Sequence, residues 1–287
     1  MTLAFLFPAL VAVAGLVIVG FAQSDLPPRI AAFTLTGAIV ATAAITIWSV
    51  GLLGADYLLG RIGACRATLQ GHVHVPAGLG VVALVAVTAG TAFAARSVAR
   101  HHRARRGPTP DGDLLVIDTE TPTAFAVPGR HPHVVVSTGM LNLLDADERR
   151  AMLAHERAHL RHGHHRFVVA AEAAAAMLPP LRPAARRVRF ATERWADQDA
   201  AREVGNPSIV ARAIARAALA GNGAEGPLLA LAGSDVAARV EALTHDRPGS
   251  WRDQAPLVVL LPMAVSVIAV VAQAHHVAEF VRTFCLS

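Results

Sequence analysis

Lysine is absent from this chain of 287 residues, and all 26 basic side chains are arginine. Schiff-base formation and other lysine chemistry are thereby excluded. Tyrosine occurs once, at Tyr57 in an apolar region, so no tyrosine hydroxyl is at hand in the polar part of the chain. Cysteine occurs twice, at Cys65 and Cys285, and charged residues make up only 16%. What fills the space is 54% hydrophobic residues with a mean hydropathy of +0.45, too apolar for an ordinary soluble protein. The abundance of alanine, valine and arginine points to a GC-rich bacterial genome. The pI near 10.7 raises nucleic acid as a partner, but the arginines flank apolar runs without interleaved aromatics. They read as topology signals and solvated faces, and no direct nucleic acid binding is expected.

The apolar residues gather into runs long enough to cross a bilayer. Residues 1–22 carry no charge; a cleaved signal peptide is the alternative, disfavoured by the lack of an N-terminal arginine. Residues 30–54, 76–95 and 256–274 are further uncharged runs, giving four expected spans. The third is followed at once by Arg96, Arg100, Arg103, Arg105 and Arg106, and such clusters mark the cytoplasmic flank of a span. Residues 96–255 are therefore expected to form a cytoplasmic domain of a multi-pass bacterial cell-membrane protein, with the lipid bilayer as a partner and both termini outside.

That domain opens with β-like stretches at 114–117, 124–127 and 134–137, separated by proline and glycine turns. Helices follow. Asp145 with Glu148 three residues later predicts a capped helix starting near Ala146 and ended by Gly163. Residues 167–181 are apolar but short and contain Glu172, which suits a helix buried in the domain or resting on the membrane better than a fifth span. Helices are also expected over 189–204, 207–220 and 235–243. The fold class is α+β: four membrane helices and a mainly helical domain carrying a small β-sheet.

The capped helix contains His155-Glu156-Arg157-Ala158-His159. Residues i and i+4 share a helix face, so His155 and His159 can offer two imidazoles to one zinc ion with Glu156 beside them as catalytic base. A third protein ligand is needed, and Glu193 on a later helix is the candidate. Asp197, one turn on, can accept a hydrogen bond from the far nitrogen of a liganding histidine; Asp199 should point elsewhere on a regular helix. One Zn2+ per chain with Glu156 as proton acceptor makes a peptide hydrolase acting on a protein or peptide substrate. The oxyanion donor is left open between an arginine and a histidine such as His164 or His245. His162 and His164 read as solvated or cleft-lining. His165 stands where a metzincin would place its third ligand, but Gly163 lies one position late for that pattern. A strand at 124–127 or 134–137 could present an edge to an extended substrate, with a plain core strand as the alternative.

Taken together, residues 123–129, the strand through Gly139, the 153–160 motif and Glu193-Arg194-Trp195-Ala196-Asp197 resemble the BlaR/MecR-type membrane metallopeptidases, above all their short actinobacterial forms. The related HtpX-type peptidases share the core pattern, often with Asn where this chain has Thr123. The resemblance implies a gluzincin domain, His155, His159 and Glu193 as ligands, Glu156 as catalytic, and a cytoplasmic repressor protein as substrate and partner. Only a dozen or so residues follow Ala274, so a penicillin-binding role of the kind that family's β-lactam sensor domain serves is not expected. Membrane protein quality control of HtpX type and a non-catalytic zinc-binding sensor are the alternatives. Four spans would place Cys65 and Cys285 together on the oxidising side, as a disulfide or as two separate thiols.

Overall fold

A computed structural model describes residues 26–59, 61, 76–104, 112–221 and 227–244, together with 264, 267–268 and 270–275. Helices α1 (Pro28–Leu59) and α2 (Ala77–Ala104) are each long and apolar enough to cross a membrane, by length and composition. They pack antiparallel: Gly54 lies against Leu84, Gly80 against Tyr57 and Gly90 against Ile47. At Gly80 an added Cβ would sit 2.3 Å from the Tyr57 Cβ, so only glycine permits this approach. The two helices contain the expected spans 30–54 and 76–95. The expected span 1–22 lies outside the described residues, as does most of 256–274, whose few described positions are helical. Two of four expected spans are thus seen as helices.

The sheet follows, with strands β1 (Leu114–Ile117), β2 (Ala124–Val127) and β3 (His133–Ser137) in the order β1-β3-β2. β3 pairs parallel with β1 and antiparallel with β2. It is buried along its whole length, which fits its run of valines. This corrects the reading of 134–137 as a candidate edge: β3 is central, and β2 and β1 are the edges.

Ser137 caps the short helix α3 (Thr138–Leu143). Helix α4 (Ala146–His162) starts with the expected capping box: the Asp145 carboxylate accepts from the N–H groups of Asp147 and Glu148, and Glu148 accepts from the Asp145 N–H at 3.1 Å. Glu148 is fully buried, yet Arg216 reaches it at 2.9 Å and Arg212 at 3.5 Å. These two arginines, four residues apart on α7 (Pro207–Gly221), tie that helix to the start of α4. Gly163 ends α4 with φ 62°, a conformation natural to glycine.

Helix α5 (His164–Met177) covers most of 167–181 and is neither a separate span nor a loose surface helix. It lies along α1, with Ala171, Ala174 and Ala175 against Leu35, Ala38, Ile39 and Ala43. After a 3-10 turn (Pro179–Leu181), α6 (Arg182–Val204) runs back along α1, burying Ala185, Val188, Ala191 and Trp195. It begins well before residue 189, because Pro183 fits a first helical turn. Helix α8 (Pro227–Thr244) likewise begins before 235.

Ala171 has no exposed surface, so Ala171→Leu forces overpacking between α5 and α1. The variant is expected to lose about 1–3 kcal/mol of stability. Thermal unfolding in detergent micelles measures this; an unchanged midpoint would contradict the packing described.

Candidate metal centre

His155 and His159 lie one turn apart on α4, with their Nε2 atoms 3.1 Å apart. From α6, Glu193 brings Oε2 to 3.4 Å from His155 Nε2 and Oε1 to 3.6 Å from His159 Nε2. A tetrahedral ion with bonds near 2.0–2.1 Å separates its donors by about 3.3 Å, so these three groups fit a zinc ion. Among the described residues they are also the group of three histidine, cysteine or carboxylate side chains close enough to share one metal.

The convergence depends on how tightly α4 and α6 approach. Ala154 of α4 and Ala200 of α6 share one buried cluster, and Ala158 and Ala196 have no exposed surface. Alanine on both faces leaves room for the imidazoles and the carboxylate to meet edge-on. Glu193 and Asp197, four apart, project from α6 on one side.

Asp197 is 1% exposed, and its Oδ1 lies 2.9 Å from His155 Nδ1, the ring nitrogen facing away from the shared donor point. Arg239 of α8 donates to both Asp197 oxygens at 2.7 Å and stands 3.1 Å from Glu193 Oε2. His159 has a counterpart arrangement: its Nδ1 lies 2.9 Å from Nδ1 of His164, the first residue of α5. His164 is buried, which corrects its reading as solvated or cleft-lining. Asp199 faces elsewhere, pairing with His162, Arg161 and Arg202. His162 also stacks on the Trp195 ring, 4.5 Å between centroids. His165 is not among the three grouped donors. Cys65, Cys285 and His245 lie outside the described residues.

Charges sort the site into unlike halves. Burial works against a charged His155, but its contacts with Asp197 and Glu193 prevail and raise its pKa to about 10. Burial and the neighbouring His155 charge bring His159 down to about 4. Burial, then His159, takes His164 to about 3. Burial pushes Glu193 up, yet His155, His159 and Arg239 hold its carboxyl well below the usual range. Burial opposes Asp197 too, and Arg239 with His155 keeps it ionised. Glu156 alone among these carboxyls is raised, chiefly by burial and then by Glu193 after the opposing effect of His155; the Ala126 backbone of β2 also lowers it.

Arg239 escaped the sequence reading, and His164 was read there as a candidate oxyanion donor or a solvated histidine and not as the partner of His159. Arg239 sits in a segment read only as a helix, where its lone guanidinium looked like a solvated charge. His164 was one of several histidines beyond the motif, and its burial comes from the Gly163 corner that turns α5 back onto Trp195.

Comparison with known proteins bears on the same region. The model of peptidase family M48 matches residues 94–218, which include the strands, α4 and α6 but not Arg239. A protein named Protease HtpX homolog from Methanocaldococcus jannaschii is 39% identical over 62 residues, 21% of this chain and 22% of that protein. Proteins of the same name from Acidiphilium cryptum and Persephonella marina are 43% identical over 56 and 61 residues, covering 18% and 20% of this chain and 19% and 21% of theirs. The matched stretch therefore spans about a fifth of each relative's length. No solved structure matches the chain significantly. The region from 94 to 218 is M48-like and these relatives are of HtpX type; the BlaR/MecR-type resemblance rests on the sequence motifs.

Two outcomes are expected. Since His155 is protonated up to about pH 10 without a metal, zinc must displace that proton. Zinc affinity should rise about tenfold per pH unit through the neutral range, with about one proton released per ion, measured by calorimetry in buffers of different ionisation enthalpy. Affinity independent of pH would contradict the His155–Asp197 pairing. Arg239→Ala strands the buried Asp197 carboxylate and should cost about 3–5 kcal/mol in denaturant unfolding.

Proposed function

We propose that the chain is an integral membrane zinc endopeptidase whose catalytic domain faces the bacterial cytoplasm. The observation that carries this reading is the spacing of the His155, His159 and Glu193 donors, between 3.1 and 3.6 Å, with Glu156 beside them. Those three residues would hold one zinc ion per chain. When bound, zinc supplies a Lewis acid that lowers the pKa of water to about 7 and polarises a carbonyl.

The remaining chemistry belongs to the chain's own side chains. Glu156, its pKa raised by burial, takes a proton from water and passes it to the departing amine. Asp197 holds the proton of His155 at Nδ1, so that Nε2 is the nitrogen that would serve as ligand once its own proton is displaced. His164 does the same for His159 as a neutral partner. Arg239 neutralises Asp197 behind His155 and Glu193 among the donors, and its N–H groups are engaged by those two carboxylates. Edge strand β2, with Phe125 45% exposed and Ala126 beside Glu156, has one side without a partner strand in the sheet and suits an extended substrate. Pairing along β2 lays a peptide past Glu156 with little demand on its sequence.

The resemblance to HtpX-type peptidases supports quality control of membrane proteins as one biological role. Cleavage of a cytoplasmic repressor is the second reading, supported by the motif resemblance to BlaR/MecR-type proteins. A zinc sensor without catalysis leaves a half-buried carboxyl with a raised pKa at position 156 without a purpose, which argues against it.

The test uses the full chain in detergent with a fluorescently labelled unfolded protein such as casein. Glu156→Gln is expected to bind one equivalent of zinc and to lose at least about 10²-fold in cleavage rate. His155→Ala is expected to lose both zinc and activity. Cleavage by Glu156→Gln at the normal rate would refute the catalytic assignment.

A further inference from the structure

The turn between α5 and α6 has chemistry that the hydrolytic site does not use. Met177 lies against Gly90 of α2, where an added Cβ would come within 3.2 Å of its Cγ. Gly90 precedes Arg96, the end of the apolar part of α2, by about 9 Å of helix rise. The turn Pro179–Leu181, with Pro179 and Pro180 exposed, therefore reaches past the level at which α2 turns basic. A second contact lies nearer the basic end of α2 and gives the direction of α5: His101 of α2 is 3.1 Å from Glu172 of α5, and Arg189 of α6 pairs with that carboxylate.

Charge at this level has one sign. Arg96, Arg100 and Arg103 on α2 and Arg182, Arg186 and Arg187 on α6 are all exposed. No aspartate or glutamate occurs between Glu172 and Glu193 in the sequence, and Glu172 is taken by His101 and Arg189. Two exposed aromatic rings sit close by in the chain: Trp48, beside Ile47 that touches Gly90, and Phe93, one turn before Arg96. Aromatic rings and long basic side chains gather where acyl chains meet headgroups, and a polybasic level at that depth attracts anionic lipid.

We propose that the α5–α6 turn is a membrane-inserting element: residues 177–181 enter the acyl region, while Arg182, Arg186 and Arg187, on the stretch of α6 that climbs from the turn to the Arg189–Glu172 contact, bind the phosphates of anionic phospholipids. This rests on the reading that α1 and α2 cross a bilayer. Its consequence for the site is a fixed height. Trp195, next to the donors, meets Phe33, which lies about 20 Å along α1 from the level of the turn. The donors are thereby held above the headgroups, where a chain emerging from the bilayer can reach them.

The test places a bimane fluorophore on Pro180→Cys in a Cys65→Ser/Cys285→Ser background of the full chain, reconstituted in nanodiscs carrying brominated lipids. A second probe on Val85→Cys, midway along the apolar part of α2, reports whether the hairpin itself is inserted. In discs containing phosphatidylglycerol both probes are expected to be quenched by lipid and shielded from aqueous iodide. Replacing Arg182, Arg186 and Arg187 together by Gln, or omitting phosphatidylglycerol, should reduce lipid quenching at residue 180 at least twofold and leave residue 85 unchanged. Quenching at 85 but iodide access at 180 would overturn the proposal alone. Lipid quenching at 180 that ignores both the arginines and phosphatidylglycerol would overturn the headgroup contacts. Iodide access at both probes would sink the membrane reading and this proposal with it.

Discussion

The close approach of α4 and α6 is the constraint on which the rest of the site depends. His155 and His159 come from one helix and Glu193 from another, and imidazole and carboxylate arms reach only a few ångströms beyond their backbones. Packed helices lie about 8–10 Å apart depending on the side chains between them. The alanines at 154, 158, 196 and 200, all buried, keep this pair close enough for donors from both helices to stand within 3.6 Å. Larger side chains there would push Glu193 out of reach with every ligand residue still present. The Glu148 link to Arg212 and Arg216 and the Asp197 link to Arg239 then fix α4 and α6 against α7 and α8.

Much of this could be read without coordinates because it is periodic. The four-residue steps from His155 to His159 and from Glu193 to Asp197 are helix-face statements, as is the step from Arg212 to Arg216. The capping box and Gly163 are local signals, and they bound α4 at both ends as expected. The strands at 114–117 and 124–127 announced themselves by short apolar runs between prolines and glycines. What depends on the order of strands or the direction of a turn was not legible. Nothing local distinguishes the central β3 from the edge β2, since both are apolar and both follow a turn. Arg239 becomes part of the site only when α8 folds across α6, and His164 only when α5 turns back at Gly163. Bounds of α6 and α8 extended beyond the periodic part because proline at an early helical position permits a start that charge patterning hides.

The two histidines look equivalent in the motif, but their surroundings make them unlike. Asp197 gives His155 an anionic partner, so its ring is held as a cation until a metal displaces the proton. His159 has neutral His164 instead, and lies beside the positive His155. One ring is thus ready to coordinate, and the other competes with protons. Arg239 limits the imbalance: without it, Glu193 at Nε2 and Asp197 at Nδ1 would set two carboxylates against one imidazole. The guanidinium leaves the cluster near neutrality and keeps each carboxylate ionised despite burial.

The same contacts argue against residue 96 as a physical boundary between membrane part and catalytic part. Helix α5 carries His164 at one end and Ala171, Ala174 and Ala175 along the flank that α1 covers. Helix α6 carries Glu193 and Asp197, while Ala191 and Trp195 pack on Leu26, Ala31 and Ala32. Phe33 of α1 meets Phe167 edge-on at 4.8 Å and reaches Trp195, so an aromatic cluster joins the first apolar helix to the helix that supplies the third donor. A fragment beginning at 96 would expose all of these faces, and α5 and α6 would lose the surface that sets their separation. Since the donor spacing follows from that separation, the apolar helices are part of how the metal centre is built, and not only its anchor.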